Sequence, residues 1–165
     1  MPKIIENVRE QLLCEAKRQI EQNGYAKTTI RSVASACGLG VGTVYNYFKS
    51  KDMLIASFMA EEWKEMLCKI DRNGNAEDLL RSVFSVLTDF SKKHSALFCD
   101  SDAEKVFATA FSEWHPVLRR QIAEILLPFC KGEEFSAEFI SESLLTWTMA
   151  GKDFETQYSV IKKLL

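Results

Sequence analysis

Two short helical segments joined by a glycine turn, within residues 24–55, constrain the fold of this chain more than any other stretch. Thr29 is a good N-cap for the first segment, because its hydroxyl can accept a backbone N–H that has no partner within the helix. Gly38 stands where that segment ends, and glycine adopts the left-handed backbone of a helix end with little strain. Val44 and Phe48 share the inward face of the second segment. The pattern predicts a helix-turn-helix, whose second helix normally enters the major groove of DNA.

The polar residues on the outer side of this motif suit contacts with a duplex. Thr43 offers a hydroxyl and a methyl group to base edges, and Arg31 is the best candidate for a two-point contact with guanine. Lys49 supplies positive charge for phosphates, and Gly42 lets backbone N–H groups come close to them. The predicted DNA-contact residues are Thr29, Arg31, Ser32, Val41, Gly42, Thr43, Tyr45, Asn46, Tyr47, Lys49 and Lys51. The alternative is an ordinary helical hairpin whose tyrosines are partly buried.

Two sequence runs carry a resemblance to a known family. Thr-Thr-Ile-Arg-Ser-Val-Ala begins at Thr28, and Gly-Thr-Val-Tyr-Asn-Tyr-Phe-Lys-Ser-Lys begins at Gly42. Together they resemble the DNA-binding signature of the TetR/AcrR family of bacterial repressors. The resemblance implies that Thr29 touches phosphate, that Arg31 and residues 41–43 face the bases, and that Tyr45, Tyr47 and Lys51 grip the DNA backbone. Gly40 and Val41 stand where that family often has polar residues, which reduces the hydrogen bonds available for base readout.

Charge is distributed unevenly along the 165 residues, although the formal net charge is only −2. Residues 1–52 hold eight basic and five acidic side chains, whereas residues 53–165 hold thirteen and eighteen. A basic head on an acidic body attracts DNA at one end and repels it elsewhere. We therefore expect DNA binding that weakens as salt is raised.

The rest of the chain predicts helices only. Apolar residues recur at helical spacing in successive segments, and no alternating strand pattern occurs. Helix ends are expected near Gly24, at residues 71–75, at His115–Pro116 and at Gly132, and Ser136 is expected to cap the eighth helix. The sequence thus predicts an all-α fold of about nine helices, with a three-helix DNA-binding head at residues 1–50 and a helical regulatory and dimerisation body at 51–165. The nine-helix plan is also what the resemblance implies.

The last two predicted helices carry more apolar side chains than a small monomer readily covers. The resemblance implies that they pair with the same helices of a second subunit. A two-fold dimer would place its recognition helices about 34–36 Å apart, to reach successive major grooves of a palindromic operator. The alternative is a monomer with these residues in its core. The predicted interface residues are Leu144, Leu145, Trp147, Met149, Phe154, Tyr158 and Ile161.

Aromatic residues are concentrated in the middle of the chain. A pocket lined in this way would suit an apolar or aromatic effector of unknown identity, although aromatics at helical spacing are also typical of an ordinary core. The predicted ligand-binding residues are Trp63, Met66, Phe84, Phe90, His94, Phe107, Phe111 and Trp114. We hypothesise that such a ligand moves the fourth helix and so changes the separation of the two heads. The resemblance implies that the fourth helix links head and body, and that ligand usually relieves repression.

Other classes of function find little support. The glycines at 38–42 lack the Lys-Ser/Thr ending of a phosphate-binding loop, and two histidines without a neighbouring set of acids or thiols predict no catalytic or metal site. The five cysteines form no metal or disulfide pattern. Most are expected to be buried thiols in a reducing compartment, with a redox-sensing thiol as the alternative.

No apolar run of about 18 residues is present, so no membrane span is expected, and the early charges predict no signal peptide. We therefore expect a cytoplasmic, non-enzymatic protein without a cofactor. Its partners would be operator DNA, a second copy of the chain and a small effector. The rival hypothesis is a helical adaptor that binds other proteins and not DNA.

Overall fold

The computed structural model describes residues 7–98 and 101–165, and the side chains of residues 96, 98 and 101–113 lie outside that description. All regular elements in this part are helical, which confirms the predicted all-α fold of about nine helices. In chain order they are α1 (Val8–Lys27), α2 (Ile30–Ala36), α3 (Val41–Tyr47), α4 (Lys51–Leu67), α5 (Ala76–Lys93), α6 (Ser95–Phe98), α7 (Ser101–Leu126), a 3-10 helix (Leu127–Cys130), α8 (Glu134–Met149) and α9 (Phe154–Ile161).

The helices form two compact units. One runs to Lys64 and includes Ser95–Ala110, and the other comprises Glu65–His94 and Phe111–Leu165. This division does not coincide with the boundary expected after residue 50, because the first part of α4 is tied to α1. Arg9 pairs with Glu61, and Lys17 pairs with Glu62. The assignment of DNA binding and regulation to residues 1–50 and 51–165 remains a prediction.

The core of the first unit lies between the inner faces of α1 to α4. Leu12 and Ala16 of α1, Val33 of α2 and Ile55 of α4 are inaccessible to solvent. The helix break expected at Gly24 is present, since this residue has φ 79° and ψ 173° within α1. This backbone interrupts the regular helix, and residues 25–27 form one short turn after it; glycine adopts such a conformation with little strain.

The core of the second unit is built from α5, α8 and α9. Leu79, Leu80 and Val83 of α5 are buried, as are Ile140 and Leu144 of α8. Each set recurs at three- or four-residue spacing, which places its members on one helix face. Burying these faces against each other removes both from water and stabilises the unit.

Two expected helix ends are wrong. The sixth and seventh helices predicted on either side of His115–Pro116 are one helix, α7, which contains Pro116. A proline removes one intrahelical hydrogen bond, and the buried residues Leu118 and Ile122 anchor the helix beyond it. Ser136 does not cap α8, because Gly132 (φ 81°) turns the chain early and Glu133 takes the N-cap position.

The cysteines are less buried than expected. Cys14 and Cys68 are exposed, Cys37 is half-buried and only Cys130 among the four described cysteines is buried; Cys99 lies outside the described residues. The expectation of mostly buried thiols is therefore wrong, because Cys14 lies on the outer face of α1, and Cys37 and Cys68 lie in the turns just after α2 and α4. Among the described residues, no helix has the length and apolar character needed to span a bilayer.

Candidate nucleic-acid interface

The N-terminus of α2 is held by a reciprocal capping box. The Thr29 hydroxyl accepts a hydrogen bond from the Ser32 backbone N–H, and the Ser32 hydroxyl accepts one from the Thr29 backbone N–H, both at 3.0 Å. The predicted N-cap at Thr29 is confirmed. The role of Ser32 was missed, although a hydroxyl three residues after a threonine cap is a recognisable variant of this motif.

The turn between α2 and α3 depends on Gly38. This residue has φ 66°, a left-handed conformation that favours glycine. Its N–H donates to the Ser35 carbonyl at 3.1 Å, and the Leu39 N–H donates to the Ala34 carbonyl at 2.8 Å. These two bonds close the end of α2 and set the direction in which α3 begins.

Helix α3 has one packed face and one open face. Val44 and Phe48 are buried, as the spacing predicted. Tyr45 is 52% exposed and Tyr47 is 48% exposed, so neither ring is sealed inside the chain. Gly42 at the start of α3 is exposed, and a methyl group placed on it would meet no atom within 4 Å. The open face of α3 therefore presents Gly42, Tyr45 and Tyr47 to solvent.

The other predicted contact residues differ in how far their side chains are exposed to solvent. Arg31, Asn46 and Lys49 are exposed, whereas Val41 and Thr43 are half-buried. Exposed cations beside an open helix face are the arrangement that phosphate binding requires.

Lys51 is held by the protein itself. Its ammonium group donates to the Tyr25 carbonyl oxygen at 2.9 Å, and the Tyr25 hydroxyl donates to Asp52 Oδ1 at 2.5 Å. Lys51 is thus engaged within the protein, and its assignment to a phosphate contact remains a prediction. The part that Tyr25 and Asp52 play here was missed from the sequence, because the contacts join residues 26 and 27 positions apart.

Burial raises the pKa of the Cys37 thiol, and it raises that of Cys130 as well. A thiol with a raised pKa forms less of the reactive thiolate near neutral pH. These two residues therefore offer little support for the redox-sensing alternative.

The predicted ligand-binding residues are distributed over both units. Trp63 lies in the first unit, and the second contains Met66, Phe84, Phe90, His94 and Trp114. Phe84 packs edge-to-face against Phe154 with ring centroids 5.6 Å apart, and Phe90 lies 4.6 Å from the ring of buried His94. The side chains of Phe107 and Phe111 lie outside the described residues. A pocket formed by these residues remains a prediction.

The predicted dimer residues do not share one surface. Leu144, Leu145 and Phe154 are buried within the chain, so they can add little buried area on association. Ile161 is buried as well but lines the groove between α8 and α9, and the predicted interface remains a prediction. Trp147 and Met149 are exposed and Tyr158 is half-buried.

Four further exposed apolar side chains were not among the predicted interface residues, namely Phe135 and Phe139 of α8, Val160 of α9 and Leu164 just after α9. A groove of about 330 Å³ runs between these two helices. Its apolar lining includes Phe139, Trp147, Val160 and Leu164. Whether an apolar residue of α8 or α9 lies in this groove or in the core depends on how each helix is rotated about its axis relative to its neighbours.

Residues 12–58 match the model of the bacterial regulatory proteins of the tetR family. The HTH-type transcriptional repressor Rv1474c of Mycobacterium tuberculosis is 32% identical over 78 residues, which cover 45% of this chain and 42% of that protein. The fatty acid metabolism regulator protein of Bacillus subtilis is 25% identical over 116 residues, covering 70% of this chain and 59% of that protein. The chain thus spans about half the length of the curated relatives it matches.

Among solved structures, the fold is similar to that of Thermus thermophilus FadR, a TetR-family transcriptional repressor crystallised with lauroyl-CoA. The TM-score is 0.66 at 21% sequence identity, and the similarity covers 94% of this chain and 92% of that one. At this level of identity the comparison establishes a shared fold.

The capped α2, the glycine turn and the open face of α3 define a helix-turn-helix protein. Residues 12–58 are thus similar to the N-terminal domain of the bacterial regulatory proteins of the tetR family. The resemblance seen in the sequence is confirmed, and the named relatives are transcriptional regulators rather than enzymes. Among the described residues, no group of three or more His, Cys, Asp or Glu side chains is arranged to hold a metal ion.

Proposed function

We propose that this chain is a cytoplasmic, ligand-responsive transcriptional repressor that binds a palindromic operator as a homodimer and is released by a small apolar or aromatic effector. The observation that carries the proposal is the half-exposure of Tyr45 and Tyr47 on α3. A tyrosine ring gains free energy when it is buried, so two such rings in water on one short helix indicate a surface that functions by contact.

In this proposal α3 enters the major groove with its open face towards the bases. Tyr45 and Tyr47 donate their hydroxyls to phosphates on either side, and Thr43 contacts a base edge. Arg31 reaches a guanine from the first turn of α2, while Lys49 adds a phosphate contact. Each phosphate contact releases counterions, so binding should weaken steeply with salt.

The test uses duplexes selected by the full chain from a random library, with binding followed by fluorescence anisotropy over a range of salt concentrations. Arg31→Ala and Tyr47→Ala should each weaken binding at least tenfold, the factor expected for losing one good contact of about 1.4 kcal/mol. Arg72→Ala removes an equally exposed arginine outside the helix-turn-helix and should leave affinity unchanged. Failure of the wild-type chain to select any duplex would favour the adaptor hypothesis.

The exposed groove between α8 and α9 supports dimerisation. Trp147 is 51% exposed and Val160 is 59% exposed, and both line the groove. Apolar side chains grouped in this way are typical of protein interfaces, and an operator with two half-sites requires two heads. We propose that a second copy of the chain covers this groove.

Sedimentation velocity can test the dimer. Val160→Asp places a charge in the groove and should yield monomers, whereas Val117→Asp changes an exposed valine of α7 outside the groove and should leave the dimer intact. A monomeric wild-type chain at micromolar concentration would contradict the homodimer and with it the palindromic operator, whereas contact between a single head and DNA is tested separately by the anisotropy measurement.

Lauroyl-CoA is the first effector to test, because one structurally similar protein was crystallised with it and one relative is named as a fatty acid metabolism regulator. A ligand releases the operator only if it binds the DNA-free state more tightly than the DNA-bound state. Titration calorimetry with and without the selected duplex measures that difference. Equal affinities in the two titrations would exclude lauroyl-CoA as the releasing ligand.

A further inference from the structure

The side chain of Gln19 is an amide buried on the inner face of α1. Only 5% of this residue is exposed, and it lies on the same helix face as the buried Leu12 and Ala16. Burying an amide costs free energy unless its polar atoms find partners. An apolar side chain would fill the same space without that cost. We therefore expect the buried amide of Gln19 to do more than fill space.

Both ends of the amide are engaged. Gln19 Nε2 donates to Glu15 Oε1 at 2.7 Å, and Gln19 Oε1 accepts a hydrogen bond from the Ser32 hydroxyl at 2.6 Å. A carboxylate can only accept hydrogen bonds. Glu15 therefore fixes which way the amide faces, and the carbonyl end of Gln19 must point towards α2.

Arg18 keeps Glu15 in the form that this arrangement needs. Its Nε and Nη2 atoms donate to the two carboxylate oxygens of Glu15 at 2.8 and 2.6 Å. This interaction lowers the pKa of the Glu15 carboxyl, against the opposing effect of partial burial. An ionised Glu15 has no proton to donate, so the orientation of the Gln19 amide does not alternate.

The consequence reaches the capping box of α2. The Ser32 hydroxyl has one hydrogen and two acceptors within reach, Gln19 Oε1 at 2.6 Å and the Thr29 carbonyl oxygen at 2.9 Å. Donation to Gln19, which is the shorter contact, leaves the hydroxyl lone pairs to accept the Thr29 N–H at 3.0 Å. We propose that Gln19 is a positioning residue for DNA binding: through Ser32 it holds the N-terminus of α2 in the one orientation that presents Thr29 and Arg31 to the duplex. This inference rests on the DNA-binding function proposed above.

The test compares Gln19→Leu, Ser32→Ala and the double variant of the full chain on the duplex that the wild type selects. Gln19→Leu should weaken binding about tenfold, which corresponds to about 1.4 kcal/mol. Ethylation interference should show the loss at the phosphates beside the start of α2, and not at those beside α3. The double variant should bind no more weakly than Ser32→Ala alone, because the two residues act through one contact.

A matched control and a DNA-free measurement separate positioning from general stability. Gln22→Leu makes the same substitution at an exposed position that also contacts Arg18, at 2.6 Å, and should leave affinity unchanged. In Gln19→Leu without DNA, hydrogen exchange at the Thr29 amide should accelerate while that at Val44 should not.

Three results would overturn the inference while DNA binding stands: wild-type affinity in Gln19→Leu, additive losses in the double variant, or an unchanged Thr29 exchange rate. A uniform weakening across all phosphates that follows the loss of stability would also overturn it. A wild-type chain that binds no duplex would remove the proposed function and this inference together.

Discussion

The ammonium nitrogen of Lys51 lies 3.4 Å from the centroid of the Tyr25 ring and 2.9 Å from the Tyr25 carbonyl oxygen. The start of α4 is thus fixed to the end of α1, on the far side of the glycine break at Gly24. The resemblance implies that Lys51 contacts the DNA backbone, but in this structure Lys51 also helps to hold α1 and α4 together.

Lys51→Met should lower the free energy of unfolding by about 2 kcal/mol, because it removes a cation–π contact and a charged hydrogen bond while keeping most of the stem. Lys49→Met changes an exposed lysine and should alter stability by less than about 0.5 kcal/mol. Urea unfolding measures both. For DNA binding we expect the larger effect from Lys49→Met. This variant should reduce the salt dependence of the DNA affinity by about one phosphate contact. Equal destabilisation by the two variants would contradict the structural role of Lys51.

The two glycines of the helix-turn-helix should respond to alanine in opposite ways. Gly38→Ala forces a side chain into a backbone with φ 66° and should destabilise the protein by about 1 kcal/mol. Gly42→Ala adds a methyl group in open space within α3 and should stabilise by up to about 1 kcal/mol. Thermal unfolding compares them, and a stabilising Gly38→Ala would contradict the turn geometry. If α3 enters the groove as proposed, Gly42→Ala should nevertheless weaken DNA binding.

Pro116 interrupts α7 without ending it. Pro116→Ala restores a backbone N–H within the helix and should raise the free energy of unfolding by about 1–3 kcal/mol. Pro128 is also exposed but stands in the first turn of the 3-10 helix, where a missing N–H costs little. Pro128→Ala should therefore change stability by less than about 0.5 kcal/mol. Calorimetric unfolding distinguishes the two, and a destabilising Pro116→Ala would show that the proline is required for the course of α7.

The ion pair between Glu15 and Arg18 should make stability depend on acid pH. The folded-state pKa of Glu15 lies below its ordinary value of 4.5. The contribution of the ion pair to the free energy of unfolding is therefore complete above pH 4.5, and it is lost as pH falls through the folded-state pKa. Arg18→Met should thus be less stable than wild type at pH 7, and the difference should shrink below pH 4.5. Urea unfolding from pH 3 to 7 tests this. A difference that does not change with pH would exclude the carboxylate as its source.

Local spacing was sufficient to predict the architecture of the head. Thr29 caps α2, Gly38 closes it, and Val44 and Phe48 turn inward, because caps, left-handed turns and helical periodicity depend on residues only a few positions apart. The same short range explains the error at Pro116. A proline predicts a helix end from its own geometry, whereas the buried residues that follow it keep α7 intact.

The sequence by itself determined the helical class, the helix-turn-helix and the residues that its open face presents, since these follow from the backbone preferences and spacing of near neighbours. Only the tertiary structure decided which apolar residues of α8 and α9 lie inside, with Leu144 buried and Trp147 exposed. It also decided that Lys51 turns to Tyr25 and that Gln19 meets Ser32. Periodicity states which residues share a helix face, but the helix that covers that face is brought there by packing between distant parts of the chain.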